Sequence, residues 1–181
     1  TAEGVPTGSS NLALKAAKAL ARRYGVDAAV ALTIDKMIPV AGGMAGGSAD
    51  AAAALVACEA LWELQLSRDE LEPLAARLGS DVPFLLHGGT AVGSGRGERL
   101  APVLARGELH WVLWVSTDTG LSTPEVYAEC DRLREAAGEP VPDPVPSQEL
   151  IAALRTMDTS AVGSALRNDL LGWTPVAPVL L

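Results

Sequence analysis

Apolar positions along the chain fall into helical stripes separated by glycine and proline breaks, with one early exception. Leu12, Ala16, Leu20 and Tyr24 recur every fourth residue, which predicts an amphipathic helix over Asn11–Tyr24, capped from Ser9 and stopped by Gly25. From Ala28 to Ile34 the spacing changes to alternating and clustered apolar residues, the pattern of a buried strand. Helical spacing returns over Ala49–Leu64 with Leu55, Cys58, Leu61 and Trp62, and Ala51–Ala54 offer a small-residue contact face. Ser67-Arg-Asp-Glu70 reads as a capping box opening a helix whose stripe is Leu71, Leu74, Ala75 and Leu78, with Gly79 as its end.

Beyond Gly79 the elements shorten. Val82-Pro83 suits the first turn of a short helix that His87-Gly-Gly89 breaks, and Thr90–Ser94 begins a strand or hairpin through Gly95-Arg-Gly97. Leu109–Val115 reads as a buried strand with Trp111 and Trp114 as core residues on opposite faces. Ser122 or Thr123 caps a helix with the stripe Val126, Tyr127, Cys130 and Leu133, the proline-rich Gly138–Pro146 is a connection, and Ser147 opens a helix with Leu150, Ile151 and Leu154. A polar segment then leads to Arg167-Asn-Asp-Leu170, and the apolar, proline-interrupted stretch Gly172–Leu181 follows.

Composition narrows the class. A chain of 181 residues, 49% hydrophobic and 20% charged, fits one large globular domain, or one domain plus part of another. The net charge of −8 argues against nucleic acid or an anionic membrane as partner. A polyphosphate ligand would therefore need local donors such as loop amides, Lys36 and Arg96. Cys58 and Cys130 lie in helical patterns, which suits buried thiols in a reducing cytoplasm, and His87 and His110 lack the spacing of a structural zinc site. Neither a membrane span nor a signal peptide is expected; the first residue is not methionine, so a piece of a longer chain or a processed form is expected.

Two stretches carry candidate chemistry. Pro39-Val-Ala-Gly-Gly-Met-Ala-Gly-Gly-Ser-Ala-Asp50 stands between the predicted strand and the alanine-rich helix, where glycines let the backbone take positive φ and approach a ligand. The first turn of the helix adds unpaired N–H groups and the positive end of its dipole, an arrangement that binds phosphate. Gly47 stands where a Walker loop has lysine, and no two glycines are spaced as G-x-G-x-x-G requires. A turn that merely lets strand and helix pack closely explains the same composition, and Ser48 can either cap the helix or turn its hydroxyl to a phosphate or metal. In Gly79-Ser-Asp-Val-Pro-Phe84, Asp81 is placed to cap the short helix or, near bound phosphates, to accept a proton from an attacking hydroxyl. His87 reads as a helix-terminal residue without an evident acidic partner.

Pro39 to Ala52, together with Leu61-Trp62 and Leu78-Gly-Ser-Asp-Val-Pro83, closely resembles the GHMP kinase superfamily, in its branch acting on a cytidyl diphosphate-linked methylerythritol. The likeness runs from about Asn11 to about Asp169, and the two motifs at this separation are more specific than either alone. The resemblance implies an α+β GHMP kinase fold. A ribosomal protein S5 domain 2-like nucleotide-binding domain over 1–106, incomplete at its N-terminus, precedes part of a ferredoxin-like second domain over 107–181, incomplete at its C-terminus. It further implies a cytoplasmic enzyme that uses ATP with Mg²⁺ to phosphorylate the tertiary 2-hydroxyl of 4-diphosphocytidyl-2-C-methyl-D-erythritol in non-mevalonate isoprenoid synthesis.

Residue by residue, Pro39, Val40, Ala41, Gly42, Gly43, Met44, Ala45, Gly46, Gly47, Ser48 and Ala49 match the family's phosphate-binding loop. Asp81 matches its catalytic aspartate, Thr123 a substrate-side threonine, and Asn11 and Lys36 positions near the adenine; no metal ligand is assigned. The family's N-terminal lysine segment and its late Gly-Ser-Gly-Pro-like motif have no counterpart, so these 181 residues alone are expected to be a poor catalyst. Mevalonate-pathway kinases, diphosphomevalonate decarboxylases and homoserine kinases share the loop, whereas Leu78–Pro83 and Lys36-Met-Ile-Pro39 favour the cytidyl-substrate branch. A non-catalytic nucleotide-binding or scaffold module is the alternative from a different class.

Overall fold

The computed structural model describes residues 4–105, 107–108, 122–138, 140 and 144–170. Two compact units are distinguished, one of Thr1–Val40 with Met44–Pro102, the other of Val103–Leu181 with Ala41–Gly43. In chain order the first holds helices α1 (Leu12–Tyr24), α2 (Gly46–Leu61), α3 (Arg68–Leu78) and α4 (Val82–His87), then the hairpin β1 (Ala91–Ser94) and β2 (Arg99–Pro102). The second holds α5 (Thr123–Ala137), α6 (Gln148–Thr156) and α7 (Thr159–Ala165). Among the described residues no helix is long and apolar enough to cross a membrane.

The α1 stripe forms as its spacing predicts, but its cap is Asn11 rather than Ser9. Asn11 Oδ1 accepts from the amides of Ala13 (2.9 Å) and Leu14 (3.4 Å), while Ser9 lies in the turn closed by Asn11 N–H on Gly8 O. Gly25 ends the helix at φ 69°, the left-handed conformation glycine reaches without a Cβ penalty. Ala13, Ala16, Ala17 and Leu20 bury against Ala51, Ala52, Ala54, Leu55 and Cys58 of α2, so the small-residue face expected of Ala51–Ala54 exists, with Ala53 turned outward. Leu71, Leu74 and Ala75 of α3 and Val82 and Leu86 of α4 complete this core. Each fully buried leucine among them contributes about 1.5–3 kcal/mol.

Three expectations for this unit need correction. Ala28–Ile34 is not a buried strand: Val30, Leu32 and Ile34 rest half-buried on the core, the intervening residues are exposed, and no ladder partner exists among the described residues. Its period of two records one face laid on helices, which is all that alternation can report. The helix predicted over Ala49–Leu64 runs instead from Gly46 to Leu61, and Leu61, at its last position, is 63% exposed. Tyr24, also a terminal helical residue, is 37% exposed.

The capping box is complete. Ser67 Oγ accepts from the Glu70 amide, and the Ser67 amide donates to Glu70 Oε2 at 2.9 Å. The Ser67 amide foremost, and then the Ser67 hydroxyl, which donates to Glu70 Oε2 at 2.8 Å, hold the Glu70 carboxyl below the usual glutamate range. The hairpin pairs Ala91 with Pro102 through Ser94 with Arg99, and the Gly97 amide closes its loop on Ser94 O.

In the second unit, α5 begins after Ser122, although the Ser122 side chain makes no cap bond, and Cys130 alone of the predicted stripe is buried, Tyr127 being 55% exposed. Ser147 Oγ caps α6 by accepting from Leu150 N–H. The polar segment after α6 is a further helix, α7, whose amide at Ala161 is capped by Asp158 Oδ1 and whose Val162 and Ala165 are buried. Cys58 and Cys130 are both free and buried. Leu109–Val115 with Trp111 and Trp114, His110, and Gly172–Leu181 lie outside the described residues.

Candidate active site

The start of α2 gathers most of the sequence-marked residues of the first unit. Its first internal hydrogen bond is Ala49 N–H to Ala45 O, so the amides of Gly46, Gly47 and Ser48 have no acceptor among the described residues. Ala45, the capping position, gives no side-chain bond, and no acidic residue stands in the first turn. Ser48 is the third helical residue and therefore not the cap; its hydroxyl faces Gly79, with Oγ 3.8 Å from where a Cβ would stand there. Three free donors at the positive end of a sixteen-residue helix form an anion cradle in the electrostatic sense, and the residues present fit a phosphate group.

Glycine serves this turn differently than positive φ alone would suggest. Gly46 and Gly47 are helical, whereas the left-handed conformations fall on Ala41 (φ 58°), Gly43 (φ 68°) and Ala45 (φ 51°). What Gly46 supplies is space: a Cβ there would stand 2.9 Å from Ile38 Cγ2 and 2.9 Å from Lys36 Nζ. Gly47 is roomier, its nearest neighbour being Leu12 Cδ1 at 3.6 Å, which places the beginning of α1 beside the beginning of α2. Pro39 and Val40 are exposed at the end of the approach segment, and Ala41–Gly43 group with the second unit.

Lys36 and Asn11 are both engaged within the protein. Lys36 Nζ donates to Asp50 Oδ2 at 2.6 Å, with side-chain exposures of 9% and 20%. Asn11 spends its carbonyl oxygen on two α1 amides and its Nδ2 on Pro6 O at 2.8 Å. Asp50 was not singled out from the sequence. The signal was available: it is the one charged residue between Lys36 and Glu59, set in an otherwise alanine-rich first half of α2.

Asp81 stands at the capping position of α4 and does not cap it. Its backbone is helical (φ −86°, ψ −16°) rather than extended, which turns the carboxylate away from the amides a cap would serve, and the side chain makes no hydrogen bond there. The cap role that the sequence allowed is therefore absent, and an exposed carboxylate is left two residues beyond the glycine that faces Ser48. His87, at the last position of α4, does have an acidic neighbour: its Nε2 lies 3.3 Å from Glu72 Oε2 on α3, with Asp69 beside them. Arg96 is 73% exposed at the hairpin tip, where its amide donates to Glu98 Oε2; the bond from Glu98's own backbone amide, then that from Arg96, and lastly the charges of Arg96 and Arg99 hold the Glu98 carboxyl low. Thr123, exposed at the first position of α5, belongs to the second unit.

Known proteins resemble this chain in sequence and in fold. Residues 11–89 match the family model described as "GHMP kinases N terminal domain". The chain is 60% identical over 167 residues to a 4-diphosphocytidyl-2-C-methyl-D-erythritol kinase of Kineococcus radiotolerans, covering 92% of this chain and 51% of that protein. A protein of the same name from Leifsonia xyli is 54% identical over 170 residues, 92% of this chain and 55% of its own length. The chain thus spans about half the length of the curated relatives it matches. A crystal structure of 4-(cytidine 5'-diphospho)-2C-methyl-D-erythritol kinase superposes with a TM-score of 0.65 at 31% identity, over 93% of this chain and 57% of that one. Helices with a β-hairpin, in the mixed α+β class, are common to the expectation and the structure.

Proposed function

We propose that this chain, whose residues 11–89 match the N-terminal domain of the GHMP kinases, is part of an ATP-dependent kinase that phosphorylates the 2-hydroxyl of 4-diphosphocytidyl-2-C-methyl-D-erythritol, a step of isoprenoid synthesis. The names of the relatives support the substrate. The three acceptor-free amides opening α2 carry the phosphate-binding part of the reading, since they supply oriented donors where charge must be held.

In this reading Gly46, Gly47 and Ser48 receive the nucleotide phosphates, with Pro39–Ala45 and Ala49 completing the loop around them. Asp81 accepts the proton of the attacking hydroxyl; its freedom from a capping bond leaves both carboxylate oxygens open for that role. Thr123 contacts the acceptor, and Lys36 and Asn11 lie toward the adenine, Lys36 by its backbone because its ammonium is held by Asp50. Mg²⁺ accompanying the phosphates would neutralise charge as it develops on the transferred group, and the Ser48 hydroxyl is an oxygen donor of the right kind at the helix start.

The test uses a polypeptide of the relatives' full length that carries these residues. Calorimetric titration with MgATP should show binding, and transfer from ATP should occur to the cytidyl-linked substrate but not to mevalonate or homoserine. ATP binding without transfer to any of them would leave a nucleotide-binding module, and absence of ATP binding would overturn the reading altogether.

A further inference from the structure

Lys36 and Asp50 lie fourteen residues apart, on either side of the glycine loop, and meet at 2.6 Å with little of either side chain exposed. Two residues further into the loop from Lys36, and four before Asp50, Ile38 and Gly46 also meet: a methyl on Gly46 would collide with both Ile38 and the Lys36 ammonium. The segment approaching the loop and the helix leaving it are thus joined twice, once by charge at Asp50, just past the first turn, and once by packing at Gly46, a position that only glycine fills without displacement. Asp50 is also the acid nearest in sequence to the amides that open α2, so its negative charge would oppose an arriving phosphate unless a cation cancelled it.

We propose that Asp50 is a positioning residue for the phosphate loop: by holding Lys36 it latches the approach segment to α2 just past its first turn, so that nucleotide meets a loop already closed at its base. The inference rests on the function proposed above. Closing the loop in advance removes chain entropy that would otherwise be lost on binding, the general gain from preorganisation. The pairing also makes the latch electrically neutral toward phosphate, because Lys36 offsets the Asp50 carboxylate.

The experiment compares the parent protein with Asp50→Asn, Asp50→Glu and Lys36→Met in two measurements: ATP affinity, and amide hydrogen exchange without nucleotide at Ala49, the first amide of α2 that has an acceptor. Asp50→Asn should bind ATP about tenfold more weakly, the size of effect expected of a residue that acts through others. Exchange at Ala49 should quicken while that of α3 is unchanged. Lys36→Met should be weaker still, because it leaves the Asp50 charge uncancelled, and Asp50→Glu should recover part of the affinity. A purely structural pair would lower the melting temperature of every variant and leave ATP affinity, measured well below that temperature, where it was; that result overturns the inference. If the parent itself fails to bind ATP, the functional reading falls, and unchanged exchange at Ala49 in folded Asp50→Asn independently sinks the latch. Should Asp50→Asn not fold, the Asp50→Glu and Lys36→Met pair carries the same comparison.

Discussion

A single methyl group added to Gly46 or to Gly47 should have opposite effects, although the two residues are adjacent and alike in sequence. At Gly46 the new Cβ would lie 2.9 Å from Ile38 Cγ2, 2.9 Å from Lys36 Nζ and 3.2 Å from Ile38 Cβ. Carbon atoms pack best at about 3.5–4.0 Å, so Ile38 or the helix start must retreat by roughly 0.6–1 Å. Overpacking of this kind costs about 1–3 kcal/mol, against which the helix preference of alanine over glycine returns at most about 1 kcal/mol. Gly46→Ala should therefore lose about 0.5–2 kcal/mol. At Gly47 the nearest atom, Leu12 Cδ1 at 3.6 Å, is at ordinary contact distance, and Gly47→Ala should gain about 0.4–1 kcal/mol from the reduced freedom of its unfolded chain. Urea unfolding of both variants, with ATP titrations on the same samples, measures the contrast. ATP affinity should fall in Gly46→Ala, whose Lys36 is pushed from Asp50. Equal stability of the two variants, or a more stable Gly46→Ala, would refute the reasoning.

The other expected outcomes are more local. Asp81→Asn should leave thermal unfolding unchanged, there being no cap bond to lose, and lower kcat by roughly 10²–10⁴-fold at saturating ATP and acceptor; near-parental turnover would remove Asp81 from the chemistry. Ala45→Gly should stabilise the protein by about 0.5–1 kcal/mol in chemical denaturation, since alanine pays for φ 51° what glycine does not, and a loss of stability would mean that the Ala45 methyl is packed. The Glu70 carboxyl, held low chiefly by the Ser67 amide, should contribute stability that is complete above the ordinary glutamate pKa. That contribution should fade as pH falls through the lower folded value; an NMR titration of Glu70 in the ordinary range would contradict this.

The sequence was most legible where a local rule and the tertiary core agreed. Leu71, Leu74 and Ala75 are buried as their spacing requires, and the Ser67/Glu70 box closes because all its partners lie within four residues. It was least legible where a neighbour distant in sequence decides. Period-two alternation over Ala28–Ile34 could not tell a helix-facing extended segment from a strand, because both bury every second side chain. Asn11 displaced Ser9 as cap because the chain turns between Gly8 and Asn11, and Glu72 became the neighbour of His87 only through the packing of α3 on α4. α7 was missed for a different reason: Thr159–Ala165 is polar and short, and the informative residue was the cap, Asp158, rather than any stripe. At the candidate site, glycine content pointed to the correct turn, but the acid that pairs with Lys36 was hidden in a run that reads as plain helix.

The contact between α1 and α2 is made largely of methyl groups, Ala13, Ala16 and Ala17 against Ala51, Ala52 and Ala54. Alanine has no side-chain torsion to populate, so this seam has almost no rotameric disorder to pass on to what it supports. A leucine-rich seam could accommodate a neighbouring change by hopping between wells; one built of methyls has a single spacing, fixed by hard contact. The mouth of α2 is thus registered against α1 as a machined part is against its stop, and a larger residue at any of these six positions would be felt as a displacement of Gly46–Ser48 more than as a local defect.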